Sequence, residues 1–130
     1  MNYKGLMEQA IIAREQSYSP YSGFKVGAAL LCQDGKVYLG CNIENGAYSP
    51  SNCAERTAFF KAVSEGEREF QAIAIVGGKD ELIDCYPCGV CRQVMGEFCD
   101  PEKFEIICGS SADDFKVFLL KELLPYGFQL

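Results

Sequence analysis

Three cysteines at two separated places restrict this chain more than any other feature: Cys53, and the pair in Pro87-Cys88-Gly89-Val90-Cys91. If one metal ion takes all three thiolates, the fold must carry the starts of two distant segments to a single point. Cys88 and Cys91 are three apart, so at a helix start their side chains project to the same side. Cys53 opens a second helical stretch, Ala54 to Val63, which Gly66 stops. Helix N-termini carry unpaired N–H groups and partial positive charge, which favour the thiolate and lower its pKa. Both groups therefore stand where a thiolate is least costly.

Three thiolates suit zinc, and a three-ligand zinc site keeps its fourth position for water and chemistry, whereas a closed four-ligand site is a structural staple. The closed alternative is present too. Cys85, Cys88 and Cys91 form C-x-x-C-x-x-C and would complete a four-thiolate site with Cys53. The same spacing begins a bacterial iron–sulfur run, but that run wants a fourth cysteine where Met95 stands. Neither alternative gives Glu55 a task. An acid in the first turn of a helix is favourable in itself. Two residues from a zinc ligand, in a chain with no histidine, it is the candidate proton shuttle. Three thiolates on Zn²⁺ leave one negative charge, and Arg56 and Arg92 follow the ligand groups closely enough to compensate it. Of the two, Arg56 is the expected partner.

The 130 residues fit one domain, 1–130, with 48% hydrophobic and 23% charged residues, as in ordinary soluble globular chains. A net charge of −6 opposes a nucleic-acid partner, which needs a basic face. Lys4, Glu8, Arg14 and Glu15 interrupt the N-terminal apolar residues, so no secretion signal is read there. No stretch approaches the roughly 20 apolar residues that span a bilayer. Cytoplasm is the expected location. There the eight cysteines read as metal ligands plus buried free thiols (Cys32, Cys41, Cys99, Cys108) rather than a disulfide framework.

Helical spacing covers roughly residues 2–17, ending before Ser19-Pro20. Val26 to Cys32 and Lys36 to Cys41, joined by Asp34-Gly35, read as a β-hairpin. A loop from Asn42 to Asn52 precedes the Ala54–Val63 helix. Gln71 to Gly77 reads as a buried strand, Cys88 to Phe98 as a helix and Phe104 to Cys108 as a strand. Val117 to Leu124 reads as a last helix closed by Pro125. This order predicts a three-layer α/β sandwich in which a mixed sheet is covered by helices on both faces.

The pattern Cys53-Ala54-Glu55 with Pro87-Cys88-Gly89-Val90-Cys91 resembles the three-cysteine form of the zinc-dependent base deaminases. The likeness extends through Tyr18-Ser19-Pro20-Tyr21-Ser22-Gly23-Phe24-Lys25-Val26-Gly27-Ala28-Ala29, Asn42-Ile43-Glu44-Asn45, Cys53 to Ala58, Pro87 to Met95 and Glu122-Leu123-Leu124-Pro125. Over nearly its whole length the chain is thus similar to the small, homotetrameric cytidine deaminases. That resemblance implies an α-β-α sandwich on a mostly five-stranded mixed sheet and one zinc per chain. It implies that Asn42 and Glu44 hold the sugar hydroxyls of a nucleoside, that Phe24 stacks on the pyrimidine, and that the Ala54 backbone reads the amide edge of the base with Glu55. It further implies that Phe128 and the Ala47–Tyr48 loop complete a neighbouring subunit's pocket. At that rim Gly46-Ala47-Tyr48-Ser49-Pro50 departs from the Ala-Ser-Tyr-Gly-like run usual in the family.

The activity so implied is hydrolytic deamination of cytidine and 2′-deoxycytidine to the uridine counterparts and ammonia, in pyrimidine salvage. Glu55 alternates between base and acid. Two other classes stay open at this point: a polynucleotide editor, which the acidic balance opposes, and a non-catalytic zinc protein.

Overall fold

The computed structural model describes all residues, Met1–Leu130. The elements run α1 (Tyr3–Arg14), β1 (Lys25–Cys32), β2 (Val37–Cys41), α2 (Ala54–Ser64), β3 (Phe70–Gly78), α3 (Gly89–Phe98), β4 (Glu105–Ser111), β5 (Asp114–Leu119) and α4 (Leu120–Leu123). One five-stranded sheet has the order β2-β1-β3-β4-β5. The hairpin partners β1 and β2 are antiparallel, as are β1 with β3 and β4 with β5. The β3–α3–β4 crossover makes those two strands parallel. The expected mixed sheet covered on both faces is what forms.

Alternation along the strands sorts side chains into two apolar layers. Ala28, Leu30, Ile73, Ile75 and Ile106 face α2 and α3, whereas Ala29, Ala72, Ala74, Val76 and Ile107 face α1. Small residues on the α1 side let that helix lie close to the sheet. Gly27 takes this furthest: a Cβ there would collide with the Ala10 carbonyl and with the Arg14 backbone 2.5 Å away. On the opposite face Phe59 of α2 is fully buried and packs against Phe70 (ring centroids 5.1 Å), Phe98 (5.9 Å) and Phe104 (6.0 Å). Burying a phenylalanine contributes about 1.5–3 kcal/mol. It pins the helix whose first residues carry Cys53 and Glu55.

The C-terminal segment corrects the sequence expectation. Val117–Leu119 is strand, the last helix is only Leu120–Leu123, and the sheet gains β5 as an edge. Asp114 to Leu119 alternates, but its apolar residues merge with Leu120, Leu123 and Leu124 into a run that also fits helical spacing. The open edge of β4 decides between them, pairing Ile106 with Phe118 and Ile107 with Val117. The first helix is also shorter than expected, ending at Arg14.

Candidate active site

Cys53 is the N-cap of α2 and Cys88 the N-cap of α3, with Cys91 inside the first turn of α3. The sheet places both helices on one face, and the three Sγ atoms come to lie within 4.8 Å of one another. Cys53 Sγ and Cys88 Sγ are 3.7 Å apart. A tetrahedral zinc with Zn–S near 2.3 Å would hold two sulfurs about 3.8 Å apart, so the spacing suits a shared ion. Cys85 does not join this cluster. It lines the adjoining cavity, and its Sγ lies 2.7 Å from where a Cβ on Gly77 would stand. The arrangement is a three-sulfur one, open on the cavity side.

Arg56 lies one helical turn after Cys53 and donates from Nη2 to Cys53 Sγ at 3.1 Å. Its Nε is buried without an acceptor among the protein atoms. Burying a guanidinium N–H in this way is costly unless the sulfurs beside it carry charge, as thiolate ligands do. The donor set therefore fits zinc. A hydrogen bond with Cys91 and the Arg56 guanidinium hold the Cys53 thiol well below its ordinary range, while the same Cys91–Cys53 hydrogen bond pushes Cys91 up. Arg92 takes no part. Its Nε donates to the Pro87 carbonyl (2.7 Å) and its Nη1 to the Leu123 carbonyl (3.0 Å), tying the ligand loop to the C-terminal segment.

Glu55 is the one buried charged residue, only 4% exposed, and desolvation pushes its carboxyl up to about 7. It shares a cavity of about 390 Å³ with Cys53, Ala54, Cys85 and Cys88. Phe24, Asn42 and Glu44 line the other side of that cavity. Asn42 and Glu44 reach it because the irregular 42–52 loop is tied down on both flanks. Ile43 and Asn52 exchange backbone hydrogen bonds of 2.9 and 2.8 Å. On the other flank Tyr18 N–H donates to the Asn42 carbonyl (3.0 Å) and Glu44 N–H to the Tyr18 carbonyl (2.8 Å).

The polar capacity left at Asn42 and Glu44 can be counted. Asn42 Oδ1 accepts from the Ser17 hydroxyl and from Val26 N–H (2.9 Å), while its Nδ2 donates to the Phe24 carbonyl (2.8 Å). The backbone partners fix the amide's orientation, and one N–H remains free. Glu44 Oε1 accepts from the N–H groups of Tyr21 (3.0 Å) and Ser22 (3.2 Å), and Oε2 from the Ser22 hydroxyl. The Ser22 hydroxyl bond leads the interactions that hold this carboxyl below its usual range. One acceptor site on Oε2 remains. Together the pair offers one donor and one acceptor.

Tyr48 and Phe128 do not line this cavity; they are 82% and 63% exposed. Phe128 instead borders an apolar groove with Phe60, Val90, Val94 and Phe98. The supporting serines, Ser17 and Ser22, escape a reading based on residue chemistry, because a serine near a loop has too many ordinary uses. Ser22's place two residues before Phe24, across Gly23, is the only local signal.

Comparison with known proteins agrees with this geometry. Residues 1–107 match the cytidine and deoxycytidylate deaminase zinc-binding region. A cytidine deaminase of Sporosarcina psychrophila is 49% identical over 128 residues, covering 98% of this chain and 92% of the relative. One from Halalkalibacterium halodurans is also 49% identical, covering 98% and 95%. The crystal structure of cytidine deaminase from Burkholderia pseudomallei superposes with a TM-score of 0.90 at 48% identity, covering 98% of this chain and all of that one. With the family model covering most of its length and close relatives matched nearly end to end, this chain belongs to the cytidine and deoxycytidylate deaminase zinc-binding family.

Proposed function

We propose that the chain hydrolyses cytidine and 2′-deoxycytidine to uridine and 2′-deoxyuridine, releasing ammonia. One observation carries the proposal: the only buried carboxyl, Glu55, opens into the same cavity as Cys53 and Cys88 of the three-sulfur cluster and the Asn42–Glu44 pair. Cys53, Cys88 and Cys91 would hold one zinc ion per chain, which would supply Lewis acidity to a bound water near neutrality. Arg56 offsets the surplus negative charge of three thiolates.

Glu55 does the proton work. Its carboxylate takes a proton from the attacking water and delivers it to ring N3 as the C4–O bond forms. It then carries the second proton to the exocyclic amine as the C4–N bond breaks. Deep burial keeps bulk water from short-circuiting the transfer. Phe24 stacks on the pyrimidine, and the backbone of Ala54 meets its amide edge. The free Asn42 N–H and the remaining Glu44 acceptor match one sugar hydroxyl, which accepts and donates once each.

The apolar groove lined by Phe60, Val90 and Phe128 supports packing against further copies of the chain in a homotetramer. In that assembly Tyr48 and Phe128 close a neighbour's pocket. Residues 1–130 act as one catalytic domain, since both apolar layers share one sheet. No helix is long and apolar enough to cross a membrane. Eight unpaired cysteines favour the reducing cytoplasm.

Loss of cytidine's ultraviolet absorbance on adding purified protein tests the activity. Uridine and ammonia should form in equal amounts, and an unchanged spectrum with a zinc-loaded protein refutes the proposal. A polynucleotide substrate is disfavoured by the net charge of −6. A shift of single-stranded DNA by the protein at low salt would revive it.

A further inference from the structure

We propose that Ser22 is a positioning residue that aims the Glu44 carboxylate at the sugar; the inference rests on the nucleoside reading above. Ser22 Oγ donates to Glu44 Oε2 and accepts from Phe24 N–H at 3.0 Å. A serine hydroxyl has one proton and rotates freely unless both its roles are assigned. Here they are. The Phe24 N–H can only donate, so it claims an Oγ lone pair and leaves the hydroxyl proton for Glu44.

Glu44 is thereby gripped at both oxygens. The Tyr21 and Ser22 N–H groups hold Oε1, and the Ser22 hydroxyl holds Oε2. The backbone bonds alone would let the carboxylate pivot about Oε1, and Oε2 is the oxygen with an acceptor site to spare. Ser22 removes that freedom and fixes the carboxylate on the wall of the cavity it shares with Phe24 and Asn42. The turn that brings the hydroxyl there depends on Gly23, at φ +69°, a conformation costly for any residue with a Cβ. A single hydroxyl thus couples the residue that reads the sugar to the backbone of the residue that faces the ring.

The effect should be confined to substrates that carry the hydroxyl Glu44 reads. For zinc-loaded Ser22→Ala, kcat/KM for cytidine is expected to fall about tenfold, the loss that follows one hydrogen bond to a charged group. For 2′,3′-dideoxycytidine, assayed at high enzyme concentration, the change should be under about twofold, since no bond to Glu44 is at stake. Ser22→Thr, which keeps the hydroxyl, should restore most of the cytidine rate. Adding Ser22→Ala to Glu44→Ala should cost little more than Glu44→Ala alone, because the two act through one contact. Zinc content and melting temperature measured on each variant report folding separately. Equal losses on both nucleosides, or a full additional loss in the Glu44→Ala background, overturn the role of Ser22. If Glu44→Ala itself leaves discrimination between cytidine and the dideoxynucleoside unchanged, the sugar assignment falls, and the role of Ser22 with it.

Discussion

Replacing Gly40 with alanine should damage the metal site although no site residue is itself replaced. Gly40 lies on β2 opposite Ala28, under the first turns of α2. A Cβ built on it would stand 2.6 Å from Ala58 N, and nearer still to the Ala54 carbonyl oxygen. Ordinary contact begins near 3.4 Å, so clearing the Ala54 carbonyl oxygen requires α2 to retreat by about 1 Å. Neither obstacle is a flexible side chain; both are helix backbone. Ala54 follows Cys53 directly, so its displacement drags Cys53 and Glu55 away from Cys88 and Cys91. Metal–ligand distances tolerate only about 0.2 Å, and the required shift is several times larger. Overpacking of this kind costs about 1–3 kcal/mol, or very roughly 4 °C of melting temperature per kcal/mol at this chain length. A misplacement near 1 Å at reacting groups can cost about 10²-fold in turnover. Competition with a coloured chelator, thermal melting with and without added zinc, and cytidine turnover together read the outcome. Zinc affinity should fall in the folded protein. Gly40→Ala with the zinc affinity, melting temperature and turnover of the parent would refute the claim that this close approach places α2.

Zinc should be retained, one per chain, in Cys85→Ser and lost in Cys53→Ala, Cys88→Ala and Cys91→Ala; equal loss in Cys85→Ser, measured by metal analysis, would reinstate the closed four-thiolate site. Glu55→Gln should keep zinc and fold while turnover drops by on the order of 10² to 10⁴ or more, and near-normal turnover would end the proton-shuttle assignment. Glu44→Ala should lower kcat/KM for cytidine by one to two orders of magnitude, about 1.5–3 kcal/mol, with zinc content unchanged. The carboxylate at Glu44 should also repel phosphate, so efficient deamination of cytidine monophosphate or single-stranded DNA by the parent protein would count against it.

Much of this architecture is legible in the residues. The hairpin around Asp34-Gly35, the buried strand at Gln71 to Gly77 and the two helices opening at Cys53 and Cys88 each carry strong local signals. The C-terminal strand does not. Val117 to Leu124 fits helical spacing as well as Asp114 to Leu119 fits alternation, and the arbiter is a neighbour far along the chain: the unpaired edge of β4. The two arginines make the same point. Arg56 and Arg92 both follow ligand cysteines, but the carbonyls of Pro87 and Leu123 claim the Arg92 guanidinium, and those acceptors converge only in the folded chain.

The proposed chemistry was already legible in the sequence. Thiol spacing, the carboxyl beside Cys53 and the absence of histidine restrict the metal, its ligands and the proton carrier, because these are properties of residue types at short separations. Tertiary structure alone decided that Cys85 stands apart from the sulfur cluster, that Tyr48 and Phe128 lie outside the chain's own cavity, and that Asn42 and Glu44 retain one donor and one acceptor. Each of those outcomes depends on which groups from distant segments reach a given polar atom first. Hydrogen-bonding capacity is used up by neighbours in space, and a sequence lists only neighbours along the chain.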